Sequence, residues 1–197
     1  MLVYDVSEFD LDDHVQELID HGADGFVLRL GETIYGEPLI DEKFIKFVNQ
    51  VVAAGFPYGV YYVSHAENER MFQMEAWWIH DKVVNLLNGR EPELGIWWGM
   101  KSVAVRYRGI TRGLLGTIEM MRSWWGNTDK IGVYAGYSYF DRYLDLNLLV
   151  DHQTPIWVIQ HNRHENKLII EYPELRLVAW QSVTNDVSQD VNEWYGF

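Results

Sequence analysis

Hydrophobic and polar residues follow two patterns along this chain. Short apolar runs rich in β-branched and aromatic residues predict strands, and longer stretches with apolar residues at helical spacing predict helices. The predicted strands are Leu2–Val6, Gly25–Leu30, Tyr58–Val63, Leu94–Trp98, Lys130–Ala135, Ile156–Gln160, Leu177–Ser182 and Val187–Asn192. The predicted helices are Leu11–His21, Glu42–Ala54, Ala66–Leu87, Thr111–Trp125 and a shorter one within Gly136–Leu149.

Glycines mark the ends of these predicted helices. Gly22, Gly55, Gly89 and Gly126 each follow a helical stretch, where a residue that adopts a left-handed backbone conformation is favoured. Asp10 precedes the first helix and is a candidate N-cap.

The order of elements predicts an α/β barrel. Strands that alternate with helices are typical of βα units and a parallel sheet. Five such units are followed by three strands with little helix between them, which predicts a single TIM-like barrel, (β/α)5(β)3, an incomplete (β/α)8 barrel over residues 1–197. The chain has no internal repeat, low-complexity stretch or linker, so we place no domain boundary in it.

Composition narrows the function classes. A hydrophobic fraction of 48 % supports a full core, and nine Trp and twelve Tyr fit either barrel packing or a groove for sugar rings. A net charge of −13 argues against nucleic acid and against unaided binding to anionic membranes. No apolar run reaches membrane-spanning length, and MLVYDVSEF has no basic region typical of a signal peptide. There is no cysteine.

Motifs for other chemistries are missing. The sequence has no Gly-rich phosphate loop, no metal-binding His pair on a helix and no Gly-x-Ser-x-Gly turn. His161 and His164 are three residues apart but lie in a loop-like segment, so we expect no metal and no cofactor.

Chemistry in a parallel barrel lies at the carboxyl ends of its strands. Asp5 follows the first strand, where an Asp also commonly caps a turn. Arg29 ends the second strand and suits a buried ion pair, whereas His65 follows the third. The fourth strand ends in GIWWGMKS (Gly95–Ser102), an apolar run that finishes in small and polar residues.

Seven motifs, in order along the whole chain, resemble family 25 glycoside hydrolases, the lysozymes that cut peptidoglycan. They are Asp5-Val6-Ser7, GADGFVLRLGE, AAGFPYGVYYVSHAEN with Glu75-Ala76 beyond it, IGVYAGYSYF, IWVIQHN, VAWQSV and DVNEWYG. The resemblance implies a muramidase barrel that hydrolyses the β-1,4 bond between N-acetylmuramic acid and N-acetylglucosamine.

One departure from the family pattern concerns the reaction itself. The resemblance implies an Asp-x-Glu pair at the end of the fourth strand, and this chain has Gly99 and Lys101 there. Asp5 and Asp190 match the remaining family carboxylates. Glycoside hydrolysis needs a carboxylic acid and a second carboxylate, and an ammonium group disfavours an oxocarbenium-like transition state. We therefore expect impaired or absent catalysis, whether these residues are natural or introduced.

The same resemblance implies a set of substrate-binding residues. They are Arg29, Glu32, Tyr62, His65, Trp98, Tyr134, Trp180 and Asn192. The expected partner is peptidoglycan or a related amino-sugar glycan. Lys101 either meets a lactyl or stem-peptide carboxylate or pairs with Asp5 or Asp190 and fills the cleft, and the second alternative is slightly favoured because an intramolecular partner costs no association entropy.

Two alternatives to an impaired lysozyme stay open at this point. One is a non-catalytic module that binds glycan or serves as a phage or cell-surface scaffold. The other is an active glycosidase with Glu32 as a relocated acid, for which Glu8 and Glu37 are less well placed. A phage or bacterial protein of this kind stays in the cytoplasm until released and then acts at the cell wall. The sequence does not predict an oligomeric state.

Overall fold

The computed structural model describes residues 1–101, 109–126, 128–161, 165–183 and 190–197. The strands are β1 (Leu2–Val6), β2 (Gly25–Ile34), β3 (Glu37–Ile40), β4 (Tyr58–Ser64), β5 (Ile96–Met100), β6 (Ile131–Gly136), β7 (Ile156–Ile159), β8 (Leu177–Val183) and β9 (Asp190–Trp194). The helices are α1 (His14–Asp20), α2 (Phe44–Ala54), α3 (Glu69–Leu86), α4 (Ile110–Trp124), α5 (Tyr137–Tyr143), α6 (Leu146–Asp151) and α7 (Lys167–Glu171).

Eight of the strands close into a barrel. Their order is β1-β9-β8-β7-β6-β5-β4-β2, and a parallel pairing of β1 with β2 completes the circle. All neighbouring pairs are parallel except those of β9, which runs antiparallel to both β8 and β1. The predicted incomplete (β/α)8 barrel is thus confirmed. In the described residues that follow β7, the short helix α7 is the one helix present.

The structure adds a hairpin that the sequence pattern did not predict. Strand β2 continues four residues beyond the predicted end to Ile34 and turns through Tyr35 and Gly36 into β3. Among the described strands, the antiparallel strand β3 pairs with β2 alone and lies outside the barrel. This hairpin projects from the end of the barrel at which the parallel strands finish.

Helix boundaries differ from the prediction mainly at the amino ends. Helix α1 begins at His14, and the Asp10 carboxylate accepts a hydrogen bond from the Ser7 amide at 2.8 Å, so Asp10 stabilises a turn and does not cap the helix. Gly55 ends α2 in the left-handed conformation (φ 78°), as predicted. None of the helices in the described ranges combines the length and apolarity needed to cross a bilayer.

Apolar side chains pack on both sides of the barrel wall. Inside the barrel the large residues are aromatic: Tyr61, Trp97, Tyr134, Trp157 and Trp194. The rings of Tyr134 and Trp157 stack with their centroids 3.8 Å apart. The second layer lies between the wall and the surrounding helices. The interior is therefore a packed core, and ligand access is restricted to the barrel ends.

A buried carboxylate ties helix α3 to the barrel wall. Glu75 is fully buried and accepts hydrogen bonds from the hydroxyls of Thr33 and Ser64 and from the Trp98 indole. Its hydrogen-bond partners come from strands β2, β4 and β5, so one side chain fixes the relative positions of three strand ends. Burial raises the pKa of Glu75 above its ordinary value of 4.5, although these hydrogen bonds oppose the shift.

Substitution of Glu75 tests this cluster. Glu75→Ala leaves several buried donors without an acceptor, so we expect a loss of about 3 kcal/mol in the free energy of unfolding. Because the pKa of Glu75 is higher in the folded protein than in the unfolded chain, the unfolded chain releases this proton at lower pH. The stability of the wild type should therefore fall relative to that of Glu75→Gln as pH rises from 4.5 through the folded-state pKa. Denaturant unfolding of wild type and Glu75→Gln across this pH range measures the difference in their free energies of unfolding. If these free energies changed in parallel with pH, the raised pKa of Glu75 would be contradicted.

Candidate active site

A polar pocket of about 220 Å³ opens at the carboxyl ends of the parallel strands. Strand ends supply Asp5, Arg29, Tyr61, Lys101 and Tyr134 to its lining. The segment after β1 supplies a rim that comprises Ser7, Phe9, Asp10 and His14. Since carboxyl ends of barrel strands gather at one face, the structure brings together groups that lie far apart along the chain, such as Asp5 and Tyr134.

Asp5 is held in place by two amides from the last two strands. One carboxylate oxygen, Oδ1, accepts hydrogen bonds from Gln181 Nε2 at 2.8 Å and from Asn192 Nδ2 at 2.9 Å. Gln181 in turn accepts a hydrogen bond from the Tyr134 hydroxyl at 2.9 Å, and Asn192 accepts one from the Trp157 indole at 2.7 Å. The orientation of Asp5 is thus set from inside the barrel.

Lys101, which directly follows β5, lines the same pocket, and Gly99 precedes it by two residues within β5. Trp97 lies inside the barrel, and because side chains alternate along a strand, Gly99 and Lys101 share its side. A Cβ at Gly99 would lie 3.0 Å from the Tyr62 carbonyl oxygen and 3.2 Å from Tyr134 Cδ1. A side chain at position 99 would thus require the Tyr134 ring or the strand backbone to shift by a few tenths of an ångström.

The Lys101 ammonium is exposed at the pocket. No carboxylate oxygen of the residues that the structure describes lies within 4.0 Å of it, so the expected pairing with Asp5 is not observed. The backbone of Asp190 pairs with Val183 at the carboxyl end of β8, which is the end of the barrel that holds Asp5. The side chain of Asp190 lies outside the described part of the chain.

Arg29 is a buried ion-pair centre at the edge of the pocket. Its guanidinium donates to Asp41 at 2.8 Å, to Glu8 at 2.5 Å and to Glu32 at 3.5 Å. Glu32 also contacts His65, with 2.8 Å between Oε1 and Nε2. Both oxygens of Glu32 are therefore engaged, and the Glu32–His65 pair lies beside the pocket, next to the β2–β3 hairpin.

Three of the predicted groove residues lie elsewhere. Tyr62, Trp98 and Trp180 belong to the layer between the barrel wall and the helices, so the prediction that they line the groove is wrong. The Tyr62 hydroxyl lies 2.7 Å from Thr33 Oγ1, and the Trp180 indole donates to the Gln160 carbonyl at 3.0 Å. Tyr134 and Asn192 do lie at the site.

Consecutive aromatic residues explain this error. Tyr61-Tyr62 and Trp97-Trp98 each place one ring on either side of the wall, and the apolar pattern alone does not distinguish the inward ring. Tyr61 takes the position predicted for Tyr62: it lines the pocket, and burial, with Asp5 nearby, raises its pKa well above 10. Gln181 was also missed, although a polar residue inside an apolar strand was an available signal.

Solved structures with the same fold include an autolysin, the catalytic domain of an endolysin and a family 25 glycosyl hydrolase. The modular autolysin LytC of Streptococcus pneumoniae superposes with a TM-score of 0.77 and 19 % identity, over 98 % of this chain and 46 % of that one. The catalytic domain of an endolysin from a Listeria monocytogenes bacteriophage gives 0.73 and 17 %, over 99 % and 93 %. A family 25 glycosyl hydrolase of Bacillus anthracis gives 0.71 and 18 %, over 100 % and 89 %.

These likenesses define the class of fold. The chain has the same barrel fold as this autolysin, this endolysin domain and this family 25 glycosyl hydrolase, which is the fold that the sequence motifs implied. The chain spans about half the length of the pneumococcal autolysin, which has also been solved with a synthetic peptidoglycan ligand. No family model matches the sequence, and no curated protein matches it either.

Substitution of Gly99 tests the crowding by Tyr134. Gly99→Ala places a methyl group against a strand carbonyl and a stacked ring, so we expect a loss of about 1–3 kcal/mol in stability. Gly116→Ala is the matched control, because a Cβ there meets nothing within 4 Å and glycine inside a helix costs about 1 kcal/mol relative to alanine. Thermal unfolding should therefore shift in opposite directions, and a stabilised Gly99→Ala protein would refute the crowding.

Proposed function

We propose that this chain is a peptidoglycan-directed barrel domain of the family 25 lysozyme type that binds cell-wall glycan and hydrolyses it poorly or not at all. Its proposed place of action is the cell wall. The fold and the polar pocket at the barrel mouth support the glycan partner. The observation that carries the proposed loss of catalysis is that Lys101, where the resemblance implies the catalytic Glu, lines the same pocket as Asp5.

The chemistry of the pocket supports the proposed loss of catalysis. A glycosidase must protonate the leaving oxygen and stabilise a cationic centre. Among the described pocket residues that the strands contribute, Asp5 is the one carboxylate, and its Oδ1 accepts hydrogen bonds from two amides. Loss of general acid catalysis alone costs roughly two to four decades in rate.

Glu32 is a weak substitute for the missing acid. Its two oxygens contact Arg29 and His65, and the side chain lines the neighbouring cleft beside the hairpin. Asp5 lines the central pocket, so the two carboxylates face different hollows. A pair of carboxylates on either side of one glycosidic bond is what hydrolysis requires.

Clearing of cell-wall suspensions tests the loss of catalysis. We expect no normal loss of turbidity with the chain as it stands, and a measurable gain in the double variant Gly99→Asp, Lys101→Glu. The gain should be limited by the room that Tyr134 leaves at position 99. Robust clearing by the unmodified chain that Glu32→Gln abolishes would overturn the proposal in favour of a relocated acid.

Binding of a muramyl oligosaccharide tests the glycan partner. Lys101 is exposed in the lining of the pocket, where its ammonium would meet the lactyl carboxylate of muramic acid. We therefore expect Lys101→Ala to weaken binding about two- to fivefold. Raised salt should shrink the difference. Tryptophan fluorescence titration measures both proteins, and Lys130→Ala, at the opposite end of the barrel, is the control.

Tighter binding by Lys101→Ala would indicate that the lysine obstructs the cleft. No binding at millimolar ligand by wild type or by Lys101→Ala would remove the glycan-binding proposal and leave a scaffold.

A further inference from the structure

A second cleft lies beside the pocket at the barrel mouth. It has a volume of about 650 Å³ and separates the β2–β3 hairpin from the segment that leads into α3. Tyr35 and Gly36 of the hairpin form one wall, and His65, Glu67 and Met71 contribute to the other.

The residue at the tip of the hairpin is unusual for its position. Tyr35 and Gly36 form a two-residue turn in which both backbone φ angles are positive, 52° and 83°. Such hairpin turns favour Asn-Gly, because an L-residue with a large side chain is strained there. Tyr35 nevertheless occupies the position, and its side chain is completely exposed, at 102 % relative accessibility.

The exposed ring has no packing role within the described structure. Among the aromatic contacts found in the described residues, none involves Tyr35. A side chain that costs backbone strain and packs against nothing is an outlier from which a functional role is properly inferred. The ring instead borders the cleft.

The floor of the cleft carries polar groups that suit a sugar. Glu32 Oε1 and His65 Nε2 lie 2.8 Å apart, and their side chains are 29 % and 37 % exposed, so both can also contact a ligand. Glu32 in addition contacts Arg29, which lines the central pocket. The two hollows therefore meet along a single line of charged side chains.

We propose that this cleft is a distal saccharide subsite, which extends the glycan groove away from the central pocket. The inference rests on the proposed function. The apolar face of a pyranose ring would stack on Tyr35, much as flat apolar surfaces stack on aromatic rings. The Glu32–His65 pair would hydrogen-bond to hydroxyl or acetamido groups of the same sugar. The cleft presents an exposed aromatic ring beside a carboxylate and an imidazole, and it is continuous with the central pocket. These features together favour a glycan as the occupant.

Oligosaccharide length separates this subsite from the central pocket. Calorimetric titration with a disaccharide and a hexasaccharide of N-acetylglucosamine measures the contribution that only the longer ligand can receive. We expect the hexasaccharide to bind wild type at least fivefold more tightly. Tyr35→Asn should remove most of this advantage and leave disaccharide binding unchanged, whereas Tyr35→Trp should retain it.

Tyr35→Asn is a favourable test because Asn-Gly suits the turn. Its melting temperature should equal or exceed that of wild type, so lost affinity would not reflect unfolding. Tyr195→Ala removes an exposed tyrosine at the opposite end of the barrel and should change neither affinity.

The outcomes separate the two proposals. Equal affinity for both ligands, or full hexasaccharide affinity in Tyr35→Asn, would overturn the subsite while the proposed function stands. A lower melting temperature of Tyr35→Asn together with weaker binding of both ligands would assign Tyr35 a structural role and also overturn the subsite. Absence of binding by wild type to either ligand and to muramyl oligosaccharide would overturn the proposed function and the subsite with it.

Discussion

The seam at which β9 closes the barrel is the constraint on which the site depends. β9 is antiparallel to both of its neighbours, β8 and β1, and Asn192 lies at its centre. The Asn192 side chain is fully buried and bonds to the Val3 carbonyl, to Asp5 and to the Trp157 indole. An unpaired amide in such a position would be costly, so barrel closure and the orientation of Asp5 are set by the same contacts.

The aromatic residues inside the barrel link this closure to the pocket through direct contacts. Tyr134 stacks on Trp157 and donates to Gln181, which in turn holds Asp5. The same ring of Tyr134 lies 3.2 Å from the position that a Cβ at residue 99 would take. A larger residue at position 99 would therefore displace Tyr134 or the strand backbone slightly, because a close-packed core does not admit extra atoms without displacement of its neighbours.

Charged residues organise the outer part of the mouth in a different way. Arg29 collects three carboxylates around one buried guanidinium and joins the segment after β1 to the β2–β3 hairpin. Phe9 covers this guanidinium, with its ring centroid 4.7 Å from Cζ. The ion-pair centre thus shapes the line along which the central pocket meets the cleft beside Tyr35. The buried position that the sequence suggested for Arg29 has a structural purpose that also shapes the groove.

The sequence by itself determined the barrel and the strand ends at which its chemistry lies, because apolar periodicity and glycine positions are local signals. It also determined that Gly99 and Lys101 follow an apolar strand where the family resemblance implies carboxylates. Only the tertiary structure decided which ring of each aromatic pair faces inward, since a shift of one residue exchanges the two faces of a strand. It alone also revealed the hydrogen bonds that Gln181 and Asn192 donate to Asp5, because these two residues lie more than 170 positions from Asp5 along the chain and reach it only when β9 closes the barrel.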